Sequence, residues 1–222
     1  MIQLILFDVD NTLYPKSVGL FDRVAERIRN YMEERLGFEK EFARELRLEY
    51  IRKYGSTLRG LMIHQNIDPS DFLEYVHDVD VEERIASNPA LAQLLSSLPM
   101  DRAIFTSGHE PYARRVLRSL GVEEHFPRIF DIIFTHYIPK PNPEPYHQIV
   151  DAVALDPSQI MIIDDLPANL KQAKELGMTT VLVDPALPQA QEIPDGFVDF
   201  GIRDILDFPC VLERKGLPLP PK

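Results

Sequence analysis

Two pairs of aspartates follow short apolar runs and are the residues in this chain best suited to chemistry. Asp8 and Asp10 come after the run Ile2 to Leu6, and Asp164 and Asp165 follow a second such run. Side chains two apart on a strand point the same way, so Asp8 and Asp10 are expected on one side. Carboxylates held together repel each other unless a cation or a shared proton intervenes. Each pair therefore indicates a hard-metal site or two carboxylates with divided roles, with a solvated turn or helix cap as the alternative.

Two further polar features stand where strands are predicted to end. Thr106-Ser107-Gly108 precedes a predicted helix, and its hydroxyl and free backbone N–H groups suit a phosphate oxygen or a simple helix cap. Lys140 lies between two prolines, which keep it out of a helix, and it is either an anion ligand or a solvated lysine. The aspartates could hold a metal, and the lysine, the hydroxyl and the N–H groups could hold an anion beside it. That combination fits phosphoryl transfer.

The hydrophobic pattern predicts an α/β fold that brings these residues together. Residues 16–86 show helical periodicity without a convincing strand, and from Asn88 onward strands alternate with helices. That alternation implies right-handed crossovers and a Rossmann-like, doubly wound parallel sheet, which binds ligands at the carboxyl ends of its strands. After the first strand, the predicted strands are 102–105, 131–134, 160–163 and 179–183.

The first strand is separated from its partners by the helical block, which indicates two domains. We expect a Rossmann-like catalytic core formed by residues 1–15 and 87–222, and an inserted helical cap domain formed by residues 16–86. The cap is expected to cover the carboxyl ends of the strands. The proline-rich end, from Pro209 onward, is expected to be an edge segment or a frayed tail.

Composition excludes several classes of protein. The 222 residues carry 24 basic and 35 acidic side chains, a net charge of -11, and no basic run forms a track for a phosphate backbone. We therefore expect no nucleic-acid polymer as a partner. A single cysteine allows no internal disulfide, and no stretch approaches the roughly 20 apolar residues of a membrane span. These features predict a cytoplasmic protein without a membrane partner, and they leave the oligomeric state open.

The order of these motifs resembles the haloacid dehalogenase superfamily, in its phosphatase branch. The likeness runs from Met1 to about Leu206, and the stretches from Asp8 to Tyr14 and from Tyr54 to Leu61 look like the pyrimidine 5′-nucleotidase-like branch. Ser107 stands where that branch usually has Asn, and Leu166 where a small hydroxyl residue is common. The four motifs are Phe-Asp-Val-Asp-Asn-Thr-Leu-Tyr, Phe-Thr-Ser-Gly, Lys-Pro-Asn-Pro-Glu-Pro-Tyr and Ile-Asp-Asp-Leu-Pro-Ala-Asn-Leu.

The resemblance implies a mechanism centred on two aspartates. Asp8 would be the nucleophile that forms an aspartyl-phosphate, and Asp10 would protonate the leaving alkoxide and then deprotonate the attacking water. Mg²⁺ would be held by the Asp8 carboxylate, the Asp10 backbone carbonyl and Asp165. Asp164 would hold a metal-bound water or orient Lys140.

The resemblance also implies which residues hold the substrate, a small phosphorylated metabolite. Thr106, the N–H groups of Ser107 and Gly108, and Lys140 would bind the transferred phosphoryl group. The helical insert would act as a lid that reads the leaving group. The candidates for contact with the leaving group are Tyr14, Arg59 and His109.

The branch favours nucleoside 5′-monophosphates, but other functions stay open. A phosphatase or mutase acting on sugar phosphates or other small phosphoesters fits the same core. A 2-haloacid dehalogenase uses the same nucleophile without a metal, and Asp10 with the pair Asp164-Asp165 favours the metal-dependent route. A non-enzymatic phospho-acceptor module would be shorter and lack the helical insert, and a simple binding module has no need of Asp10.

Overall fold

Short apolar runs form a seven-stranded sheet in the computed structural model, which describes residues 1–187, 190–193 and 196–217. In chain order the strands are β1 (Leu4–Phe7), β2 (Asp101–Phe105), β3 (Arg128–Phe130), β4 (Ile160–Asp164), β5 (Thr179–Val183), β6 (Gln191–Glu192) and β7 (Phe200–Ile202). They pair in the order β3-β2-β1-β4-β5-β7-β6, and every pairing is parallel except that between β6 and β7. The predicted α/β fold with a Rossmann-like parallel sheet is confirmed.

A block of helices lies between β1 and β2. Gly55, with φ of 81°, ends one of these helices in the left-handed conformation, and the Ser56 hydroxyl accepts the Arg59 N–H at the start of the next. The block has its own apolar cluster, which includes Tyr31, Leu61 and Phe72. The cap boundaries at residues 16 and 86 stay a prediction. The helices are α1 (Leu20–Asn30), which continues into a π-helical turn (Tyr31–Arg35), α2 (Lys40–Tyr54), α3 (Thr57–Gln65), α4 (Pro69–His77) and α5 (Val81–Arg84).

The remaining helices alternate with strands and cover the sheet. Prolines occupy the first turn of these helices, where a missing N–H costs nothing. They are α6 (Pro89–Ser97), α7 (Glu110–Leu120), α8 (Pro143–Val153), α9 (Pro167–Glu175) and α10 (Phe208–Arg214). Short 3-10 turns lie at Lys16–Val18, Glu123–His125, Pro157–Gln159 and Ile205–Asp207.

Both faces of β1 are buried. Ile5 and Phe7 belong to one apolar cluster, and Leu4 and Leu6 belong to a second cluster on the other face. This alternation follows from the two-residue period of a strand, and it explains why β1 reads as a continuous apolar run. The central strand is therefore held rigidly from both sides.

Three sequence-based expectations about the elements differ from the structure. The predicted strand at 131–134 is a turn, because the Asp131 carboxylate accepts the backbone N–H groups of Ile133 and Phe134. Residues 210–214 complete α10 and do not form an edge segment or a frayed tail; residues 215–217 follow the helix, and residues 218–222 lie outside the described residues. The short strands β6 and β7 were not predicted. Among the described residues, no helix has the length and apolar character needed to cross a membrane.

Strand register brings the predicted chemical residues to one edge. Phe7 pairs with Ile104 on one side and with Ile163 on the other, so the residues that follow these three lie side by side at the carboxyl end of the strands. The Asp8 N–H donates to the Ile163 carbonyl at 2.9 Å, which places Asp8 beside Asp164. This edge lies where the sheet order reverses around β1, the usual location of ligand sites in such sheets.

Candidate active site

Lys140 is the centre of a buried ion cluster at the carboxyl end of the sheet. Its Nζ donates to Asp8 Oδ1 at 2.8 Å, to Asp164 Oδ2 at 2.6 Å and to the backbone oxygen of Phe105 at 2.9 Å. Lys140 is 6% exposed and Asp164 is fully buried. All three ammonium hydrogens therefore have partners inside the protein, which rules out the solvated lysine that the sequence left open.

Burial and charge act against each other in this cluster. Burial raises the pKa of the Asp8 carboxyl to about 8, although the Lys140 ammonium pulls that pKa down. Burial lowers the pKa of Lys140, but the charges of Asp164 and Asp8 outweigh burial and raise it above its ordinary value. The lysine therefore stays charged, and the cluster holds a nucleophile candidate against a fixed positive charge.

Three carboxylates of this edge form a group that could hold a divalent cation. Asp8, Asp164 and Asp165 each offer one oxygen, and these oxygens lie within 4.8 Å of one another. Burial raises the pKa of Asp165 to about 6, the charge of Asp164 adds to this, and the Asn11 amide opposes it. When all three are ionised, these carboxylates outnumber the one ammonium, and their oxygens suit a hard cation such as Mg²⁺.

The carboxylate of Asp10 has different partners from that of Asp8. Asp10 Oδ1 accepts the hydroxyl of Tyr14 and, at 2.7 Å, the hydroxyl of Tyr112. Burial raises the pKa of Asp10, and the two hydroxyl donors oppose that rise. β1 ends at Phe7, so Asp8 and Asp10 both lie beyond the strand, and the expectation that strand alternation places them on one side does not apply. Asn11 follows in the left-handed region, at φ of 61°.

The hydroxyl and N–H groups predicted to hold an anion follow Phe105, whose carbonyl accepts from Lys140. The Thr106 hydroxyl oxygen accepts the Gly108 N–H at 3.0 Å and is buried, whereas Ser107 is exposed. A Cβ added to Gly108 would lie 3.4 Å from both Thr106 Oγ1 and Tyr112 Cδ1, a tight contact. The loop therefore packs closely against α7 at its first turn.

Two side chains that were not assigned a role support the cluster. Asn169 donates to both oxygens of Asp164, at 2.9 and 3.0 Å, and the Leu166 N–H donates to Asp164 Oδ1. Thr12 donates its hydroxyl to Asp8 Oδ2 at 3.1 Å. Asp164 is thus saturated by protein donors, which favours a role in orienting Lys140.

The three residues predicted to contact the leaving group have different partners. Tyr14 is 4% exposed and bonds Asp10, as described above. His109 precedes α7 and stacks on His77 of α4, with ring centroids 4.6 Å apart. Arg59 lies in a groove of about 440 Å³ between α2, α3 and the segment that carries Lys140. Tyr112, which contacts Asp10, was missed by the sequence reasoning because it lies on the apolar face of a helix.

The groove beside Lys140 is lined by several cationic side chains. Arg52, Lys53 and Arg59 line it, and among the described residues that line it there is no acidic side chain. The segment on its other side includes Pro139, whose Cγ would lie 3.0 Å from a Cβ on Gly55. The helical block therefore contacts the chain on one flank of Lys140.

Comparison with known proteins places this geometry in a family. Residues 2–177 match the model of the haloacid dehalogenase-like hydrolases. Phosphate metabolism protein 8 of Saccharomyces cerevisiae is 27% identical over 201 residues, which are 81% of this chain and 61% of the yeast protein. The chain thus spans about three fifths of the length of that relative.

Solved structures share the fold over nearly the whole chain. A HAD phosphatase from Thermococcus onnurineus superimposes with a TM-score of 0.60 at 21% identity, covering 95% of this chain and 98% of that one. An L-2-haloacid dehalogenase from Xanthobacter autotrophicus gives a TM-score of 0.62 at 16% identity, covering 96% and 99%. At these identities the likeness shows the fold alone. The match of the family model over most of the chain, on a sheet whose edge carries the expected acids and lysine, shows that the chain belongs to the haloacid dehalogenase-like hydrolases.

Proposed function

We propose that this protein is a Mg²⁺-dependent phosphomonoester hydrolase that acts through an aspartyl-phosphate on Asp8. The observation that carries the proposal is the arrangement around Asp8. Its carboxylate is paired with Lys140 at 2.8 Å and grouped with Asp164 and Asp165, while Asp10 is held separately by two hydroxyls. Phosphoryl transfer needs a positioned nucleophile, fixed positive charge and a separate proton donor, and these residues supply each of them.

Asp8, Asp165 and the Asp10 backbone carbonyl would hold the metal, with Asp164 behind them. When bound, Mg²⁺ would neutralise the charge of the phosphoryl group so that it can approach a carboxylate. The family resemblance assigns this ligand set. The fit of Asp8, Asp164 and Asp165, with three crowded carboxylate oxygens, supports it.

The residues of the chain divide the chemistry into two halves. In the first half, Asp8 forms a bond to phosphorus, the bond to the leaving oxygen breaks, and Asp10 gives that oxygen a proton. In the second half, Asp10 takes a proton from water as the water oxygen bonds to phosphorus and releases Asp8. The Thr106 hydroxyl and the Ser107 N–H would hydrogen-bond the phosphoryl oxygens, and the Gly108 N–H would join them by leaving Thr106 Oγ1. Lys140, which donates its three hydrogens to protein oxygens, would act on the phosphoryl group through its charge.

Dehalogenation is the alternative that shares the nucleophile. It needs neither a metal nor a proton donor for its leaving group, because halide leaves as an anion. Asp10 would then have no leaving group to protonate, and the group formed by Asp8, Asp164 and Asp165 would have no metal to hold. These residues therefore support hydrolysis of a phosphoester.

For the substrate, we propose nucleoside 5′-monophosphates. The resemblance of residues 8–14 and 54–61 to the pyrimidine 5′-nucleotidase-like branch supports this class. The helical block would serve as the cap over the site, and its contacts beside Lys140 support that placement. Arg59 in the cationic groove and His109 at the start of α7 are the proposed contacts with the leaving group.

The decisive experiment measures phosphate release from nucleoside monophosphates, sugar phosphates and aryl phosphates, with Mg²⁺ and with EDTA. Asp8→Asn serves as the blank. We expect Mg²⁺-dependent release led by pyrimidine 5′-monophosphates. Release led by a sugar phosphate would support the proposed mechanism but contradict the proposed substrate class. Release that is insensitive to EDTA would contradict the proposed dependence on Mg²⁺.

Metal binding can be tested without turnover. Mg²⁺ at about 100 times its dissociation constant should stabilise the folded protein by about 2.7 kcal/mol, which thermal unfolding detects as a higher Tm. Asp165→Asn should lose most of that rise. Asp199→Asn, which alters a carboxylate paired with Lys174, should keep it.

A further inference from the structure

One oxygen of the Asp10 carboxylate is fully occupied and the other is not. Oδ1 accepts two hydroxyls, from Tyr14 and Tyr112, whereas no described residue hydrogen-bonds Oδ2. Tyrosine hydroxyls have an ordinary pKa of about 10, so at neutral pH each carries a hydrogen to donate. The Asp10 side chain is therefore anchored through a single atom.

Both tyrosines are held by their surroundings. Tyr14 is 4% exposed and Tyr112 is 2% exposed, and both belong to the apolar cluster on one face of the sheet. The ring of Tyr112 also stacks on His77 of α4, with centroids 4.4 Å apart. Neither ring can swing away without opening a cavity, so the two hydroxyls form a fixed cradle for Oδ1.

The cradle determines which oxygen can carry a proton. A carboxyl oxygen has two lone-pair positions, and both positions of Oδ1 are taken by hydroxyl hydrogens. A proton on Oδ1 would cost one of these two donated hydrogen bonds, because a hydroxyl would have to turn its hydrogen away, whereas a proton on Oδ2 costs neither.

We propose that Tyr14 and Tyr112 are positioning residues that reserve Oδ1 and so fix Oδ2 as the atom of Asp10 that gives and takes the proton. This rests on the proposed phosphatase function. It also assigns Tyr14 a task that differs from the contact with the leaving group expected from the sequence.

The proton balance of the reaction follows. As the bond between phosphorus and the leaving oxygen breaks, its electron pair passes to that oxygen, which bonds the proton from Oδ2; Asp10 is left as a carboxylate. In the second half, water gives a proton to Oδ2 while its oxygen bonds to phosphorus and the bond to Asp8 breaks. Asp10 ends protonated on Oδ2, with the hydrogen bonds at Oδ1 in place throughout.

The test compares two esters that differ in their need for a proton. Phenyl phosphate has a basic leaving group that needs one, whereas p-nitrophenyl phosphate leaves as a stable anion. The value of kcat/KM reports the step in which the leaving group departs. We would measure the ratio of kcat/KM for the two esters in Tyr14→Phe, Tyr112→Phe, the double variant and Asp10→Asn, with KM for each.

General acid catalysis contributes about 10²–10⁴-fold, so we expect the ratio of phenyl to p-nitrophenyl phosphate to fall about tenfold in each single variant. The double variant should approach the ratio of Asp10→Asn, with KM little changed. Because the ratio is taken within one preparation, any unfolded fraction cancels. Tyr31→Phe is the matched control, since buried Tyr31 likewise donates to a carboxylate, Asp71, at 2.8 Å; its ratio should equal that of the wild type.

Each outcome decides the matter. A ratio that falls in the tyrosine variants and in Asp10→Asn, but not in Tyr31→Phe, supports the proposal. Equal losses for both esters, or no loss, would overturn the positioning role while leaving the phosphatase function in place. A wild-type protein that releases phosphate from neither these two esters nor the nucleoside and sugar phosphates of the panel above would overturn the proposed function and this inference with it.

Discussion

Asp8 and Asp10 lie two residues apart and yet occupy opposite kinds of environment. Asp8 is held by charge: a lysine ammonium at 2.8 Å on one oxygen and other carboxylates nearby. Asp10 is held by neutral hydroxyls, both on one oxygen. Both side chains follow the end of β1 at Phe7, and each has its own set of partners.

The difference shows how one short loop can support two functions. The Lys140 ammonium lowers the pKa of Asp8, but burial outweighs it and raises that pKa to about 8, so a bound cation would be needed to keep this nucleophile ionised. A carboxylate that is buried among neutral donors can accept a proton at less cost, which suits an acid and base. The surroundings, rather than the residue type, assign the two roles.

The largest effect should follow from removing the charge-paired nucleophile. Asp8→Asn keeps the shape of the side chain and its contact with Lys140, but an amide cannot form the covalent intermediate. We expect phosphate release to fall by at least about 10⁴-fold, while the Tm changes by only a few degrees. Steady-state assays and thermal unfolding of the same preparation test this, and substantial remaining turnover would contradict the assignment of Asp8.

The next largest effect should be on stability, and it shows how much the buried charges around Asp8 depend on Lys140. Lys140→Met leaves Asp8 and Asp164 buried without their cation, which should lower the free energy of unfolding by about 3–5 kcal/mol. Lys174→Met removes the partly exposed pair with Asp199 and should cost about 1 kcal/mol or less. Urea denaturation measures both. Similar losses in the two variants would show that the Lys140 cluster contributes no more than a surface pair.

A smaller effect is expected at the neutral environment. Asp10→Asn retains the nucleophile and the lysine, so p-nitrophenyl phosphate should still phosphorylate Asp8, whereas release of a basic leaving group should slow about 10²-fold or more. The aspartyl-phosphate should then persist, since no base activates water. Rapid quench after mixing detects it as acid-stable phosphoprotein, and failure to observe any would count against the division of roles.

The sequence predicted the charged environment and missed the neutral one, for a physical reason. Asp8 and Asp164 follow buried parallel strands, and strand register places the residues after such strands side by side. Tyr112 is 102 positions from Asp10, on the apolar face of α7, where a tyrosine is indistinguishable from a core residue. A buried tyrosine hydroxyl needs a hydrogen-bond partner, but the sequence alone does not identify which residue that partner is.

The fold, like the site, was predicted in part from the sequence. Long periodic segments gave the parallel sheet and the helical insert, because their apolar patterns reflect burial directly. The prediction of a strand at 131–134 was wrong because the apolar residues there resemble those of a strand. In the structure the Asp131 carboxylate accepts backbone N–H groups of this segment and stabilises a turn. Local hydrogen bonds of this kind compete with strand pairing and are not visible in hydropathy.

The smallest effect concerns His77, whose ring stacks on Tyr112 beside Asp10. Burial, with His109 beside it, lowers the pKa of His77 to about 3, and Arg115 adds to this. An unfolded histidine has a pKa of about 6.5, so below that pH the unfolded chain binds more protons than the folded one, and stability falls as pH falls.

For wild type, this histidine should contribute a loss on the order of 1 kcal/mol for each pH unit between about 6.5 and 4, and nothing above about 6.5. His77→Phe keeps a ring against Tyr112 and removes the titrating group, so its unfolding free energy should fall more gently over this range. Urea denaturation at several pH values measures the slope. His147→Phe, at an exposed position on α8, should leave the slope unchanged. If His77→Phe keeps the wild-type slope, then His77 takes up a proton in the folded protein, and the support under Tyr112 is itself charged in acid.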